Sequence, residues 1–452
     1  MTPRVRIKWS ELSDAKVGVW GLGVEGRANL RKLTALGNTA VLVEDDDSRV
    51  TASKDPPVLF GREGVDALLQ CEVVVKSPGI SRYRPEVAEL QAGGVRVVGG
   101  LGLWLEEAPL DRVACITGTK GKSTTTAVAG YLLERMNYRC MVGGNIGIPP
   151  WDPAAGDSFD YWIVETSSFQ ATDITVSPAV VAVTTLHPDH IDWHGDTDSY
   201  FNDKLSACTQ PGPHVTVANA QSSLVVERRE LLGERVRWVD PGLTGSSARD
   251  EGWIDNLMLR GEAGRANALI AQAVLQELGV QDAYDVEALA RASVGFQPLR
   301  SRQESLGTVE GVEFVDDSLA TNVISAIAAL DAFDDRRIAV ILGGYDRGID
   351  YRPLADRICE RTLPTFVVTL PDNGTRIGSE IEAVAEDRVQ VVNEGDLACA
   401  VRAAFEWSRP GGVVLLSPAA PSFGAFRDYR ERSEAFREAM RACEDRDRIE
   451  RG

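Results

Sequence analysis

Short, wholly apolar runs recur along the chain, each followed by a glycine-rich or polar turn and then a stretch with helical spacing. The first run, Val17-Gly18-Val19-Trp20, leads through Gly21-Leu22-Gly23-Val24-Glu25-Gly26 into a helical stretch from Arg27 to Leu36 and a second run from Thr39 to Val43. Runs without polar alternation suit strands buried on both faces, as in a parallel sheet covered by helices. Further runs at 72–76, 113–116, 161–164, 180–185, 313–315, 338–342, 366–369, 389–392 and 413–416 predict the same alternation. The fold class is α/β. At roughly 150 residues per domain, the 452 residues divide into three: a Rossmann-like domain at 1–110, a P-loop domain at 111–298 and a second Rossmann-like domain at 299–452. The tail from Arg441 to Gly452, dense in Arg and acidic residues, reads as a solvated helix end.

Charge narrows the partners. The formal net charge is -19, with no basic block interrupting it. Such a surface repels phosphate backbones and anionic lipid, which argues against nucleic acid and membranes and leaves any anionic ligand to be held by local groups. Seven scattered cysteines without a CxxC pair point to reduced thiols. No signal core follows Met1, and no apolar run reaches membrane length, so the expected compartment is the cytoplasm.

The turns carry the candidate chemistry. Gly21 to Gly26 has the GxGxxG form, with Glu44-Asp45 about twenty positions on, which is the dinucleotide fingerprint. Alone, it allows a nicotinamide cofactor or a tight glycine turn without ligand. Gly23, Val24, Glu25, Glu44 and the later turn Ser77-Pro78-Gly79-Ile80 are its candidate contacts. The run at 113–116 is followed by Thr117-Gly118-Thr119-Lys120-Gly121-Lys122-Ser123-Thr124-Thr125-Thr126. Strand, glycine-rich loop, Lys-Ser and helix form a phosphate-binding loop whose backbone donors cradle phosphates, with Lys122 as point charge and Ser123 as a Mg²⁺ ligand. Its spacing departs from GxxxxGK[ST], since two residues separate Gly118 from Gly121-Lys122. Glu165 ends the next run, and three of the four histidines fall between His187 and His194. Those histidines fit a polar structural loop or a weak zinc signal. Beside a phosphate loop, Mg²⁺ bridged by Glu165 and His190 fits better. In the third domain, Asp316-Asp317-Ser318, Gly343 to Arg347 and Ser417-Pro418 each follow a strand and should share one crevice.

A P-loop domain of the TGTKGKSTT form between two mononucleotide-type domains resembles the Mur ligases. The matches run in order along essentially the whole chain: Thr117 to Thr125, Gly143-Gly144-Asn145-Ile146-Gly147, Glu165 to Gln170, Asp189-His190, Lys204, Asn267, Arg302, Asp317-Ser318 and Ser417-Pro418. Gly21-Leu22-Gly23 and Ser77-Pro78-Gly79-Ile80 are similar to the glutamate-adding members. The resemblance implies that the first domain holds the UDP of a UDP-N-acetylmuramoyl-alanine substrate rather than NAD. It also implies ATP on Gly118, Thr119, Lys120, Gly121, Lys122, Ser123 and Thr124, with Asn267 at the adenine, Arg302 at the γ-phosphate and Asp317 at the nucleotide. Mg²⁺ would rest on Ser123, Glu165, His190 and Lys204, the last as a carbamate, against the bland alternative of an exposed helix lysine. Asn145 and Ser167 would line the muramoyl-alanine path. The implied catalytic residues are Lys122, Glu165, His190, Lys204 and Arg302, and the implied enzyme is a monomer. Its carboxylate substrate attacks the γ-phosphate to give an acyl phosphate, which the amino group of glutamate then opens. His190 and Asp192 are both open as proton acceptor.

Departures from the glutamate-adding pattern fall on the amino-acid side. Leu319 stands where Lys follows Asp-Ser, and Tyr345-Asp346-Arg347 replaces Asp-Gly-Lys. Thr185 replaces Asn, and Gly264-Arg265 replaces a His-Asn pair. These losses resemble a branch that adds L-glutamate and leaves inversion to a separate epimerase, with Thr321, Arg347, Ser417 and Ser422 as the expected glutamate cradle. The alternatives are the D-glutamate-adding ligase and an enzyme similar to folylpolyglutamate synthase, against which the βαβ unit at 17–45 argues.

Overall fold

A computed structural model describes residues 4–46, 57–212, 214–242, 252–385 and 389–451. Three sheets follow one another along the chain. The first contains β1 (Val17–Trp20), β2 (Val41–Glu44), β3 (Val58–Phe60), β4 (Val73–Lys76) and β5 (Arg96–Gly99), all parallel, in the order β3-β2-β1-β4-β5. The second contains β6 (Val113–Thr117), β7 (Cys140–Gly144), β8 (Tyr161–Glu165), β9 (Val180–Val183), β10 (Val215–Asn219) and β11 (Val236–Val239), also parallel, in the order β11-β10-β9-β6-β8-β7. The third contains β12 (Glu304–Val309), β13 (Val312–Asp316), β14 (Ile338–Leu342), β15 (Thr365–Thr369), β16 (Gln390–Asn393) and β17 (Val413–Leu416), in the order β12-β13-β17-β14-β15-β16. Only β12 is antiparallel, forming a hairpin with β13.

Most of the runs read from the sequence are the central strands. β1, β6, β9, β13, β14, β15 and β17 are buried throughout. Two boundaries moved by two residues. β2 begins at Val41 rather than Thr39, and β9 stops at Val183, which releases Thr184 and Thr185 to the loop beyond it. Six strands left no clear run: β3, β5, β7, β10, β11 and β12. Several are short edge strands, and β12 alternates polar with apolar positions, so their apolar content is weak or mixed.

The first and second sheets lie in one compact unit, residues 1–257 and 264–296, and the third in another, residues 258–263 and 297–452. In the first unit the core is continuous: Val17, Val75, Trp104, Val113, Trp151 and Val183 belong to one buried cluster. In each sheet a strand flanked by two others of opposite crossover direction makes a switch point, where doubly wound sheets place ligands. These points are β1 beside β4, β6 between β9 and β8, and β17 between β13 and β14. No helix among the described residues is long and apolar enough to cross a membrane. None of the seven cysteines is in a disulfide.

Candidate active site

The loop after β6 turns through Gly118 (φ 136°) and Gly121 (φ 91°) into the helix Lys122–Arg135. Both glycines are obligatory on two counts. Their φ is left-handed, and a Cβ would stand 2.1 Å from Thr184 Oγ1 at Gly118 and 2.4 Å from Asn267 Oδ1 at Gly121. The freed threonines after β9 hold the loop in shape. Thr119 N donates to Thr185 O (2.7 Å), and Lys120 N donates to Thr185 Oγ1 (2.9 Å). Thr119 Oγ1 also contacts Tyr200 Oη (2.9 Å). Asn267, expected at an adenine, lies against this turn and accepts from Thr125 Oγ1 (3.3 Å). Ser123 is buried at the start of the helix, whose N-terminus favours an anion.

Two lysines converge on one carbonyl. Lys122 Nζ donates to Gly118 O (2.9 Å) and Thr119 O (3.1 Å), and Lys204 Nζ donates to the same Gly118 O (3.0 Å). Lys204 is 2% exposed, over the Tyr200 ring at 4.9 Å, which overturns the exposed-lysine reading. Burial, with Lys122 nearby, holds its amine well below the ordinary lysine range. Across the loop, Glu165 ends β8 almost fully buried. Its Oε1 accepts from Asn145 Nδ2 (2.8 Å), while its Oε2 is buried with no hydrogen-bond partner. A carboxylate oxygen left orphaned beside a phosphate loop is what a cation ligand would leave behind. His190 stands in a left-handed conformation (φ 51°) with its ring 4.9 Å from Phe169. Burial lowers its pKa. Among the described residues, no three His, Cys, Asp or Glu side chains converge on a metal position, so a cation here would rely on Ser123 and Lys204 as well.

In the first sheet, Gly21 and Ser77 adjoin at the switch point: Ser77 Oγ donates to Gly21 O (2.6 Å). Gly23 caps the helix Val24–Ala35, and a Cβ there would meet nothing within 4 Å. Val24 is exposed beside it. Glu44 is buried, and its carboxylate accepts from Leu22 N and Asp45 N, so it braces the turn. Glu25 points toward the second sheet, where Gln170 Nε2 donates to its Oε1 (2.6 Å). Burial pushes Glu25 up to about 8. Ser167 caps the helix Ser168–Ala171 in a capping box with Gln170, and Lys76 pairs with Asp173 at 2.6 Å. Gly79 O accepts from Trp193 Nε1 (3.3 Å).

In the second unit the loops after β13 and β17 meet. Asp317 Oδ2 accepts from Ser417 Oγ (2.9 Å) and Oδ1 from Gln303 N (3.2 Å). Burial raises its carboxyl to about 7 against those hydrogen bonds and the nearby Arg302 charge. Arg432, on the helix Tyr429–Arg451, was not anticipated. Its guanidinium is 1% exposed and donates to Ser318 O (2.8 Å) and Ala420 O (3.1 Å), joining those two loops. Ser422 is buried near it, while Arg347 is exposed and Asp346 is held by Arg376. Tyr345 and Phe423, both exposed, face each other edge-on at 6.4 Å. Thr321 N donates to Leu319 O within the turn (2.9 Å).

A phosphate loop at a parallel-sheet switch point, two lysines on one loop carbonyl and an orphaned carboxylate define a nucleotide-dependent phosphoryl-transfer enzyme. The sequence matches the Mur ligase middle domain over residues 116–251 and the Mur ligase glutamate ligase domain over residues 301–420. The chain is 39% identical to a UDP-N-acetylmuramoyl-L-alanine--L-glutamate ligase of a Micromonospora species, covering 96% of this chain and 98% of that one. Its counterpart from Salinispora tropica is 40% identical (96% and 99% covered), and that from Xanthomonas euvesicatoria 38% (94% and 95%). Among solved structures it is similar to the UDP-N-acetylmuramate-alanine ligase MurC from Thermotoga maritima, with TM-score 0.54, 16% identity and coverage of 95% and 99%. The chain belongs to the Mur ligase family of ATP-dependent amide-bond-forming ligases.

Proposed function

We propose that the chain joins L-glutamate to UDP-N-acetylmuramoyl-L-alanine with hydrolysis of ATP to ADP and phosphate, in the cytoplasm as a step of peptidoglycan synthesis. The carrying observation is that Leu319 and Arg347 occupy the loop positions where the D-glutamate-adding pattern offers lysines. Relatives at about 40% identity that carry the L-glutamate name support the same reading. In this assignment residues 1–110 hold the UDP, 111–298 the ATP, and 299–452 the glutamate and part of the nucleotide.

The alanine carboxylate is unreactive toward an amine until phosphorylated. Lys122 and the loop amides hold the phosphates, and Lys122 with Arg302 opposes charge that grows in the transition state. Mg²⁺ supplies charge neutralisation when bound; Ser123, Glu165 through its orphaned Oε2, His190 and Lys204 would hold it. Burial keeps the Lys204 amine available in its neutral form, the form that adds CO₂ to become a carbamate carboxylate. The amine must lose its proton, and Asp192, or His190 where its imidazole is not on the metal, would take it. On the second unit, Thr321, Arg347, Ser417 and Ser422 form the glutamate cradle, and an L-glutamyl product calls for a separate epimerase.

Side-by-side kcat/KM with the two enantiomers, in the presence of UDP-N-acetylmuramoyl-L-alanine, tests this. A missing charge-assisted hydrogen bond of about 1.5–3 kcal/mol gives about ten- to hundred-fold preference for L-glutamate. Preference for D-glutamate by about tenfold overturns the stereochemical assignment and leaves the D-adding ligase.

A further inference from the structure

Ser168, His194 and Asp203 stand in the order hydroxyl, imidazole, carboxylate. His194 Nδ1 lies 2.7 Å from Asp203 Oδ2, and His194 Nε2 lies 3.0 Å from Ser168 Oγ. The carboxylate accepts only, so it fixes the ring proton on Nδ1 and leaves Nε2 to accept from the serine. In a hydrolase that order activates the hydroxyl as a nucleophile. Here Ser168 is 2% exposed, and the His194 ring is enclosed by Phe169, Trp193 and Tyr200. No substrate reaches the hydroxyl, so the line acts by position.

The line has a fourth member from the first sheet's side. Tyr83 Oη donates to the same Asp203 Oδ2 (2.8 Å). Tyr83 follows the Ser77–Ile80 loop by three residues, and that loop's neighbour Ser81 donates to Trp193 O (3.1 Å). Two members of the line adjoin a residue of the site in sequence: Ser168 follows Ser167, and Asp203 precedes Lys204. Tyr83 is also 47% exposed, so its ring is not core filling, and its anchored part is the hydroxyl.

We propose that Tyr83, Asp203, His194 and Ser168 are positioning residues that tie the substrate loop at 77–80 to the segment bearing Ser167 and to the helix bearing Lys204. The proposal rests on the first loop being the UDP-substrate site. Substrate seated on that loop then acts, through one shared carboxylate oxygen, on the geometry of the ligation centre.

The test uses the full chain. Calorimetric affinity for UDP-N-acetylmuramoyl-L-alanine without ATP, KM for ATP, kcat and thermal midpoint are measured for wild type, Tyr83→Phe, His194→Gln, Asp203→Asn and Asp203→Leu. Deleting the hydroxyl that serves a charged acceptor should weaken the UDP substrate by about tenfold while leaving KM for ATP unchanged. Asp203→Asn, which keeps an acceptor oxygen, should retain much of the affinity that Asp203→Leu loses. Tyr83→Phe should cost nothing further in the Asp203→Leu background, because the partners are shared. Should Asp203→Leu not fold, the same cycle is run with His194→Gln. Wild-type affinity and kcat in Tyr83→Phe overturn the proposal, as does a fall in thermal midpoint with equal loss for both nucleotides. A wild-type chain that does not bind the UDP compound overturns the substrate reading and this line with it.

Discussion

Lys122 and Lys204 share one carbonyl, yet residue spacing alone marks only Lys122. Lys122 announces itself by position after two glycines at a helix start. Nothing in the spacing of Asp203-Lys204 distinguishes a surface lysine from one that is 2% exposed, because burial there comes from the packing of Tyr200 and the phosphate loop. Lys122→Ala should lower kcat by about 10²–10³, the common effect of removing a group aimed at developing charge, with the thermal midpoint retained. Wild-type turnover in that variant moves the ATP site elsewhere. Lys204→Ala should lose most activity and regain part of it with added acetate, since a short carboxylate can stand where the carbamate would. Full activity without acetate removes Lys204 from the reaction. Glu25 offers a pH handle. Its folded carboxyl titrates at about 8, above the ordinary 4.5, so the neutral acid is favoured by folding. That contribution is complete below pH 4.5 and is lost as pH rises through 8. Glu25→Gln keeps an acceptor for Gln170 without the charge. Between about pH 6 and about pH 9 wild type should lose about 2–4 °C more of its thermal midpoint than the variant does. Parallel melting curves for the two proteins sink the idea.

At the level of elements, the glycine turns illustrate both what sequence discloses and what it hides. Wholly apolar runs marked the central strands because both their faces are covered. Short edge strands such as β3 and β11, and the mixed β12, bury too little to show a pattern. The turn after β1 was legible as a tight glycine turn, but the bracing role of Glu44 within it was not. Glu44 is taken up by the N–H groups of Leu22 and Asp45, a use invisible without the backbone. The His187–His194 stretch divided in the same way, with His190 half open at the loop and His194 locked in place by Asp203. Gly23 separates the two nucleotide sites experimentally. A side chain there meets nothing, so Gly23→Val should fold normally. It projects from the helix start where a diphosphate would approach the backbone. The expected result is a rise in KM for the UDP substrate far larger than that for ATP, read from initial rates. A selective loss of ATP affinity instead means the two sites have been exchanged.

For the molecule as a whole, the three α/β sheets were legible because the alternation of runs and turns persists from Val17 to Leu416. The sharing of one core by the first two sheets was not, since a change of sheet at Leu110–Arg112 looks the same in sequence whether or not packing continues across it. Arg432 belongs to the same class of hidden feature. It is a single arginine near the C-terminus, more than a hundred residues from Ser318, and its guanidinium grips Ser318 O and Ala420 O at once. This has a consequence for how such enzymes can be recombined. The loop after β13, the loop after β17 and the first turn of the helix Tyr429–Arg451 are one inheritable cassette, however far apart they lie along the gene. A chimera that grafts a relative's amino-acid loop but keeps its own C-terminal helix, or the reverse, breaks a buried contact whose donors have no water to turn to.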